Sequence, residues 1–266
     1  MANGDESATR VTVERDGHVL LIGLDRPDKR NAADWRMLQE LSLAYGELDR
    51  DPHLRVGLVF AHGDHFTAGL DLADITPHIG PDGLDLVPDG GIHPWGMDGH
   101  PVSKPVVLAV QGTCLTLGVE LALASDVVVA ADSTRFGQIE VKRGILPFGG
   151  ATTRFAARSG WGDAMRWMLT GDSFDAAEAL RIGLVQDVVP HGEQHDRALA
   201  IARTIAAQAP LAVQATLANA RLAVREGAAA AEALLQGELV RLASTRDAAA
   251  GLRAFAERTT AEFEGK

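Results

Sequence analysis

Residues 106–140 read VVLAVQGTCLTLGVELALASDVVVAADSTRFGQIE and constrain the fold more than any other stretch. Two apolar runs, VVLAV and DVVVAA, have the length and β-branched content of buried strands, and LGVELALAS between them has the pattern of a helix. One ionisable residue stands inside that helix: Glu120, between Val119 and Leu121. An ionised, unpaired carboxylate is costly to bury, so Glu120 needs a partner or a task. A second carboxylate, Glu140, follows the turn-like Phe136-Gly137-Gln138. Two glutamates flanking a cleft can supply an acid and a base.

The rest of the chain repeats the alternation. Residues 11–24 (VTVERDGHVLLIGL) read as a hairpin about Asp16-Gly17. Residues 32–50 place Leu38, Leu41 and Tyr45 at helical spacing, 55–61 form a buried strand, and 62–74 a glycine-bearing loop leading into a short helix. This alternation predicts an α/β domain with largely parallel sheets. Nearly half of residues 77–101 is glycine or proline, which predicts an irregular loop or cover, with Trp95 and Met97 either lining a pocket or belonging to the surface of that cover. Beyond residue 140, segments 151–158, 164–169 and 176–180 read as short helices and 184–189 as another apolar run. Residues 194–259 read as alanine-rich helix, broken at Pro210 and near Gly227. The polar residues 1–9 are expected to be disordered.

A net charge of −11 argues against nucleic acid and anionic membranes as partners. No apolar run approaches the ~20 residues that span a bilayer, and MANGDESATR has neither a signal-peptide nor a transit-peptide character. The lone cysteine, Cys114, leaves no intramolecular disulfide and fits a reducing, cytoplasmic setting. It reads as a small buried thiol. His62 and His65 lack the further ligands a metal site needs and read as loop residues, so no metal is expected. Asp126 reads as structural at a helix-to-strand junction, and Trp161 and Trp167 as helix-packing residues.

Three features converge as candidate chemistry. In Phe66-Thr67-Ala68-Gly69-Leu70-Asp71, small residues around a glycine let backbone N–H groups face a ligand. The turn Leu115-Thr116-Leu117-Gly118 precedes a helix, whose first N–H groups suit an anion or a developing oxyanion. With Glu120 and Glu140 these suit chemistry at a carbonyl whose oxygen gains negative charge. Taken singly, each also has a structural reading: turn geometry for Gly69 and Gly118, an ion pair for Glu120, a solvated loop carboxylate for Glu140.

Together these segments resemble the crotonase superfamily, the enoyl-CoA hydratase/isomerase family, over about residues 10–260. The resemblance rests on Leu24-Asp25-Arg26-Pro27 with Asn31-Ala32, on the loop from Phe66 to Leu72, on Lys104-Pro105 through Asp126, and on Phe136-Gly137-Gln138-Ile139-Glu140 with Gly144 and Pro147. Thr170-Gly171, Ala176 to Ala179 and Gly183-Leu184-Val185 also fit. It implies a crotonase-like (ClpP/crotonase) α/β spiral of ββα units over 10–190, and a helical C-terminal region, 191–266, for oligomerisation and active-site cover. A homotrimer or a dimer of trimers follows from it. Two oxyanion-hole donors fall on the backbone N–H groups of Ala68 and Leu117, and the two glutamates of the hydratase branch on Glu120 and Glu140. The implied reaction is addition of water to a 2-enoyl-CoA in bacterial fatty-acid β-oxidation, with coenzyme A as part of the substrate and no prosthetic group. Double-bond isomerisation, with Glu140 as proton shuttle, and catalytically weak acyl-CoA binding are the alternatives. The basic loop offers Arg26, Lys29 and Arg30 as candidate phosphate contacts, and Ala68, Gly69, Leu70, Asp71 and Leu72 complete the coenzyme A-binding set. The chain departs from the family at Leu115-Thr116-Leu117, where consecutive glycines are usual, and at Phe148, where glycine commonly follows the proline. Both changes bear on the space left for the acyl chain or the water.

Overall fold

A computed structural model of the chain describes residues 9–97 and 99–266. Apart from Thr9, the N-terminal segment expected to be disordered lies outside the described residues. The chain opens with the hairpin β1 (Val11–Asp16) and β2 (Val19–Leu24). Helix α1 (Trp35–Arg50) follows. It begins later than the apolar spacing suggests because Asp34 caps it, accepting the Met37 N–H at 2.9 Å. Next come β3 (Val56–Ala61), the single turn α2 (Leu72–Ile75), β4 (Val106–Val110) and β5 (Thr113–Leu115). Helix α3 (Leu117–Ala124) leads to β6 (Val127–Ala131) and β7 (Arg135–Gly137). Then follow α4 (Ala151–Ser159), α5 (Trp161–Thr170), β8 (Ser173–Asp175), α6 (Ala176–Arg181) and β9 (Asp187–Val189). Four helices finish the chain: α7 (Gln194–Ala206), α8 (Pro210–Glu226), α9 (Ala228–Ala243) and α10 (Arg246–Glu257).

The main sheet runs β1-β2-β3-β4-β6-β9, parallel throughout except for the β1–β2 hairpin. Side chains alternate across it with period two. In β4, Val106, Leu108 and Val110 enter the main core, while Val107 and Ala109 face the other way with Val56, Leu58 and Val129. Helix α7 covers that second face through Ala198, Ala202 and Ala206, whose spacing of four puts small side chains on one stripe and lets the helix approach closely. The sheet's own core thus runs past the boundary expected at residue 190.

A second sheet, β5-β7-β8, carries the chain toward Glu140. The turn expected at Phe136-Gly137-Gln138 is not formed at its first two residues. Both are strand residues, with Cys114 opposite Phe136 and Leu115 opposite Gly137. Trp161 also departs from expectation: it is 73% exposed, whereas Trp167 is buried and tilts against Phe174. Cys114 is a buried free thiol, held protonated by its burial. Asp126 joins three elements, accepting the Val106 N–H at 2.8 Å and pairing with Arg221 of α8 at 3.1 Å. Among the described residues no helix is long and apolar enough to cross a membrane.

Candidate active site

Residues 117–123 of α3 are all buried, Glu120 included. A helix that is apolar all round must be covered all round, so its one carboxylate can be met only by protein groups or a ligand. Glu120 Oε1 accepts the N–H of Ala151, the first residue of α4, at 3.1 Å, and the nearby Gly149 N–H also favours the charged carboxylate. Glu120 thereby caps α4, where free N–H groups and the positive helix end favour an anion. Burial raises its proton affinity above the ordinary carboxylate range; those two N–H groups and the Arg154 charge oppose the rise.

Glu140 starts a 3-10 turn, Glu140–Arg143, soon after β7. Gln138 Nε2 donates to its Oε1 at 3.3 Å, and its Oε2 is buried with no partner among the described residues. Burial, reinforced by the negative charge of Glu120, pushes Glu140 up to about 7. The two glutamates therefore differ in kind. At Glu120 backbone N–H groups and the Arg154 charge oppose the rise, while at Glu140 the Glu120 charge adds to it, and Glu140 readily carries a proton near neutrality.

Both line one cavity of ≈ 490 Å³ with mostly apolar walls. Ala68, Leu70, Thr116 and Leu117 form part of it, as do Trp95, Met97 and Phe148. Trp95 is buried and its Nε1–H donates to Leu117 O at 3.0 Å, so segment 77–101 is fastened to the first turn of α3 and forms a wall of the cavity. Half-exposed Phe148 borders the space without filling it.

The backbone donors need one correction. The Ala68 N–H is already spent on Arg30 O at 2.9 Å. In the same loop Thr67 N–H donates to Thr113 O, Gly69 N–H to the Thr67 hydroxyl, and Asp71 N–H to Ala33 O. Leu70 alone is left with an N–H that has no acceptor among the described residues. The cause is the short parallel bridge between Ala33 and Leu70, which engages the N–H groups of alternate residues and turns that of Leu70 the other way. Leu117 opens α3, and its N–H likewise has no acceptor among the described residues. Leu70 and Leu117 both line the cavity, and the N–H of each has no acceptor among the described residues.

The basic loop also divides. Arg26 points inward: its guanidinium donates to Ala32 O at 2.8 Å and Asp71 Oδ2 at 2.9 Å and lies 3.4 Å from Asp34 Oδ2. That makes it a structural tie rather than a free phosphate contact, and it occupies Asp71 as well. Lys29 and Arg30 are exposed with no ion-pair partner among the described residues. Buried Asn31 holds the loop in shape, donating to the carbonyls of His62 and His65 at 2.9 and 2.8 Å. Leu72 lies on the cavity wall, and Gly69 has φ 102°, a conformation that favours glycine. His62 and His65 serve Thr12 and the Thr113 N–H respectively.

Residues missed in the sequence include Leu70 as a donor, Gly149 and Ala151 as partners of Glu120, and Gln138 beside Glu140. Only the Gly149-Gly150 pair carried a signal, as backbone able to approach a side chain closely.

Comparison with known proteins agrees with this arrangement. The family described as enoyl-CoA hydratase/isomerase matches residues 14–266. A probable enoyl-CoA hydratase/isomerase from Mycobacterium abscessus superposes with a TM-score of 0.94 at 57% identity, over 97% of this chain and 99% of that one. Enoyl-CoA hydratase EchA19 of Mycobacterium tuberculosis is 34% identical over 98% of both chains. The 2,3-dehydroadipyl-CoA hydratase of Escherichia coli is 33% identical over 97% of this chain and all of its own. The strand–helix spiral, the carboxylate pair and these full-length matches lead to one assignment: the chain belongs to the enoyl-CoA hydratase/isomerase family.

Proposed function

We propose that the protein is an enoyl-CoA hydratase, a hydro-lyase that adds water across the 2,3 double bond of a 2-enoyl-CoA to give a 3-hydroxyacyl-CoA. One observation carries the reading: two buried glutamates, both of raised proton affinity, share a cavity with two residues, Leu70 and Leu117, whose N–H groups have no acceptor among the described residues. The Leu70 and Leu117 N–H groups take the thioester oxygen and stabilise the enolate. Glu120, whose carboxylate accepts the Ala151 N–H, takes a proton from water as the water oxygen bonds to C3 from the same face that C2 is protonated. Glu140 delivers its proton to C2 as the enolate collapses to the thioester. Exchange with solvent then moves the proton from Glu120 and restores Glu140. Each donor is worth roughly 3–4 kcal/mol in such sites, and acid–base help about 10²–10⁴-fold.

Coenzyme A enters as part of the substrate, with Lys29 and Arg30 as its phosphate contacts. The presence of Glu120 as well as Glu140 favours hydration over isomerisation, which needs one shuttle. The open cavity argues against a binder closed by Leu117 and Phe148. The reading includes a homotrimer or dimer of trimers, supported by large apolar side chains exposed on the last helices, such as Val224, Leu252 and Phe255. It also includes a cytoplasmic setting and a place in fatty-acid β-oxidation. The test is loss of enoyl absorbance from crotonyl-CoA and a longer analogue, with product mass measured. Rapid loss with a gain of one water in the wild type, and near-complete loss of rate in Glu120→Gln and Glu140→Gln, is expected. A wild type inert on both substrates, or a product of unchanged mass, would sink hydration.

A further inference from the structure

Thr116 is out of place in three independent ways. It holds φ 48° and ψ −112° immediately before α3, a conformation that glycine tolerates and a β-branched residue does not. Its hydroxyl is buried with no hydrogen-bond partner among the described residues. And it lies on the cavity wall at the seam between the two donor loops: a Cβ on Gly69 would stand 2.3 Å from Thr116 Oγ1. Gly69 precedes the Leu70 N–H, and Thr116 precedes the Leu117 N–H. Strain together with an unsatisfied donor is a combination that persists where the surrounding fold enforces it and function uses it.

We infer that Thr116 is a third donor to the thioester oxygen, resting on the hydratase reading above. The motion this requires is a change of χ1 rotamer that turns the hydroxyl from the face of Gly69 toward the cavity that Leu70 and Leu117 also line. There it gains the acceptor it lacks, and the bond strengthens as the oxygen becomes an enolate. No covalent bond forms to Thr116, and its proton stays on the hydroxyl. The side chain thus adds a donor where the family's glycines offer backbone alone.

The test compares Thr116→Val, Thr116→Ser and Thr116→Gly with the wild type. The readouts are kcat and KM on crotonyl-CoA, the thermal midpoint, and the infrared stretch of the bound, ¹³C-labelled thioester carbonyl. Val and Gly should lower kcat about ten- to a hundredfold, with smaller changes in KM, while Ser stays within about threefold of wild type. In both Val and Gly the carbonyl stretch should move back toward its value in free crotonyl-CoA. Thr116→Gly should unfold at or above the wild-type temperature while still being slow, which a merely structural role would not produce. Wild-type kcat and carbonyl stretch in both Val and Gly would overturn the inference. If the wild type polarises the bound carbonyl but adds no water, the hydratase reading fails and the Thr116 comparison still decides on the carbonyl stretch alone. If the wild type leaves the bound carbonyl unshifted, both readings fall.

Discussion

Gly149 lies so close to Glu120 that a methyl group on its Cα would stand 2.6 Å from Glu120 Oε2 and 2.9 Å from Cδ. The backbone of Gly149 is not in the left-handed region, so alanine fits its main chain and conflicts only with the carboxylate. Gly149→Ala is therefore a probe of Glu120 that leaves the glutamate in place. Displacing the carboxylate breaks its bond to the Ala151 N–H and misplaces the base. The expected result is a loss of kcat on crotonyl-CoA of about 10²-fold or more. The cost in stability should be only about 1–3 kcal/mol, the usual range for one extra methyl in a packed site. Kinetics alongside thermal unfolding separate the two effects. Unchanged kcat would mean that the position of Glu120 does not limit turnover.

Glu140 sets the pH dependence. Its folded-state value of about 7 lies above its ordinary 4.5, so over that interval the native state keeps a proton that the unfolded chain releases. Its contribution to stability is complete below the unfolded value and is lost as pH rises through about 7. Glu140→Gln cannot ionise, so its stability should fall less than that of the wild type between about pH 5 and 8. Activity follows the same proton. Hydration needs Glu140 protonated, so kcat/KM should decline above about pH 7. Denaturant titrations and rate profiles over this range check both, and a kcat/KM that rises through pH 7 would reverse the acid and base assignments.

The cations of residues 26–30 should separate by readout. Arg26 is tied to Asp71 and Asp34, and removing one partner of a largely buried pair commonly costs about 3–5 kcal/mol. Arg26→Met should therefore lower the unfolding midpoint and show little preference among substrates. Lys29→Ala and Arg30→Ala should leave the midpoint nearly unchanged, because both side chains are exposed. Their KM for crotonyl-CoA should rise severalfold while their KM for crotonyl-pantetheine, which lacks the nucleotide phosphates, stays at the wild-type value. Equal changes on both thioesters would remove the phosphate role.

How much of this was legible depended on the distance over which each signal acts. Strands β3, β4 and β6 and helix α3 were readable because their apolar patterns are local and long enough to show a period. Strands β5, β7 and β8 have three residues each, too few for any period, and exist because they pair with one another. The glutamate pair stood out because a carboxylate among Leu, Val and Ala is anomalous wherever it occurs. Which N–H of the Thr67–Asp71 loop stays free was not legible, since it depends on carbonyls of Arg30 and Ala33 supplied from far earlier in the chain. Arg26 resembled its neighbours Lys29 and Arg30 until its partner Asp71, 45 residues away, was in place. Trp161 and Trp167 share a helix and looked alike in sequence, and only packing from β8 decided which is covered.

Trp95 offers the last test, of whether segment 77–101 works as a wall of the site. Its indole N–H donates to Leu117 O at 3.0 Å, and its own carbonyl accepts from Arg154 NH2 at 2.6 Å. The first bond fastens the segment to the residue whose N–H is a proposed oxyanion donor, and the second to Arg154, whose charge acts on Glu120. Trp95→Phe keeps an aromatic ring in the core but removes the indole donor. The loss of one buried hydrogen bond and some ring area should cost about 1–3 kcal/mol. The larger effect should be local. With the anchor gone, segment 77–101 should open more often, raising KM for acyl-CoA severalfold and making the glycine- and proline-rich stretch a preferred site of limited proteolysis. Saturating acyl-CoA should suppress that cleavage in the wild type and less so in the variant. Wild-type KM with unchanged proteolysis would mean that the segment is held by its other contacts, Leu86 among them, and that the indole bond does not govern access to the site.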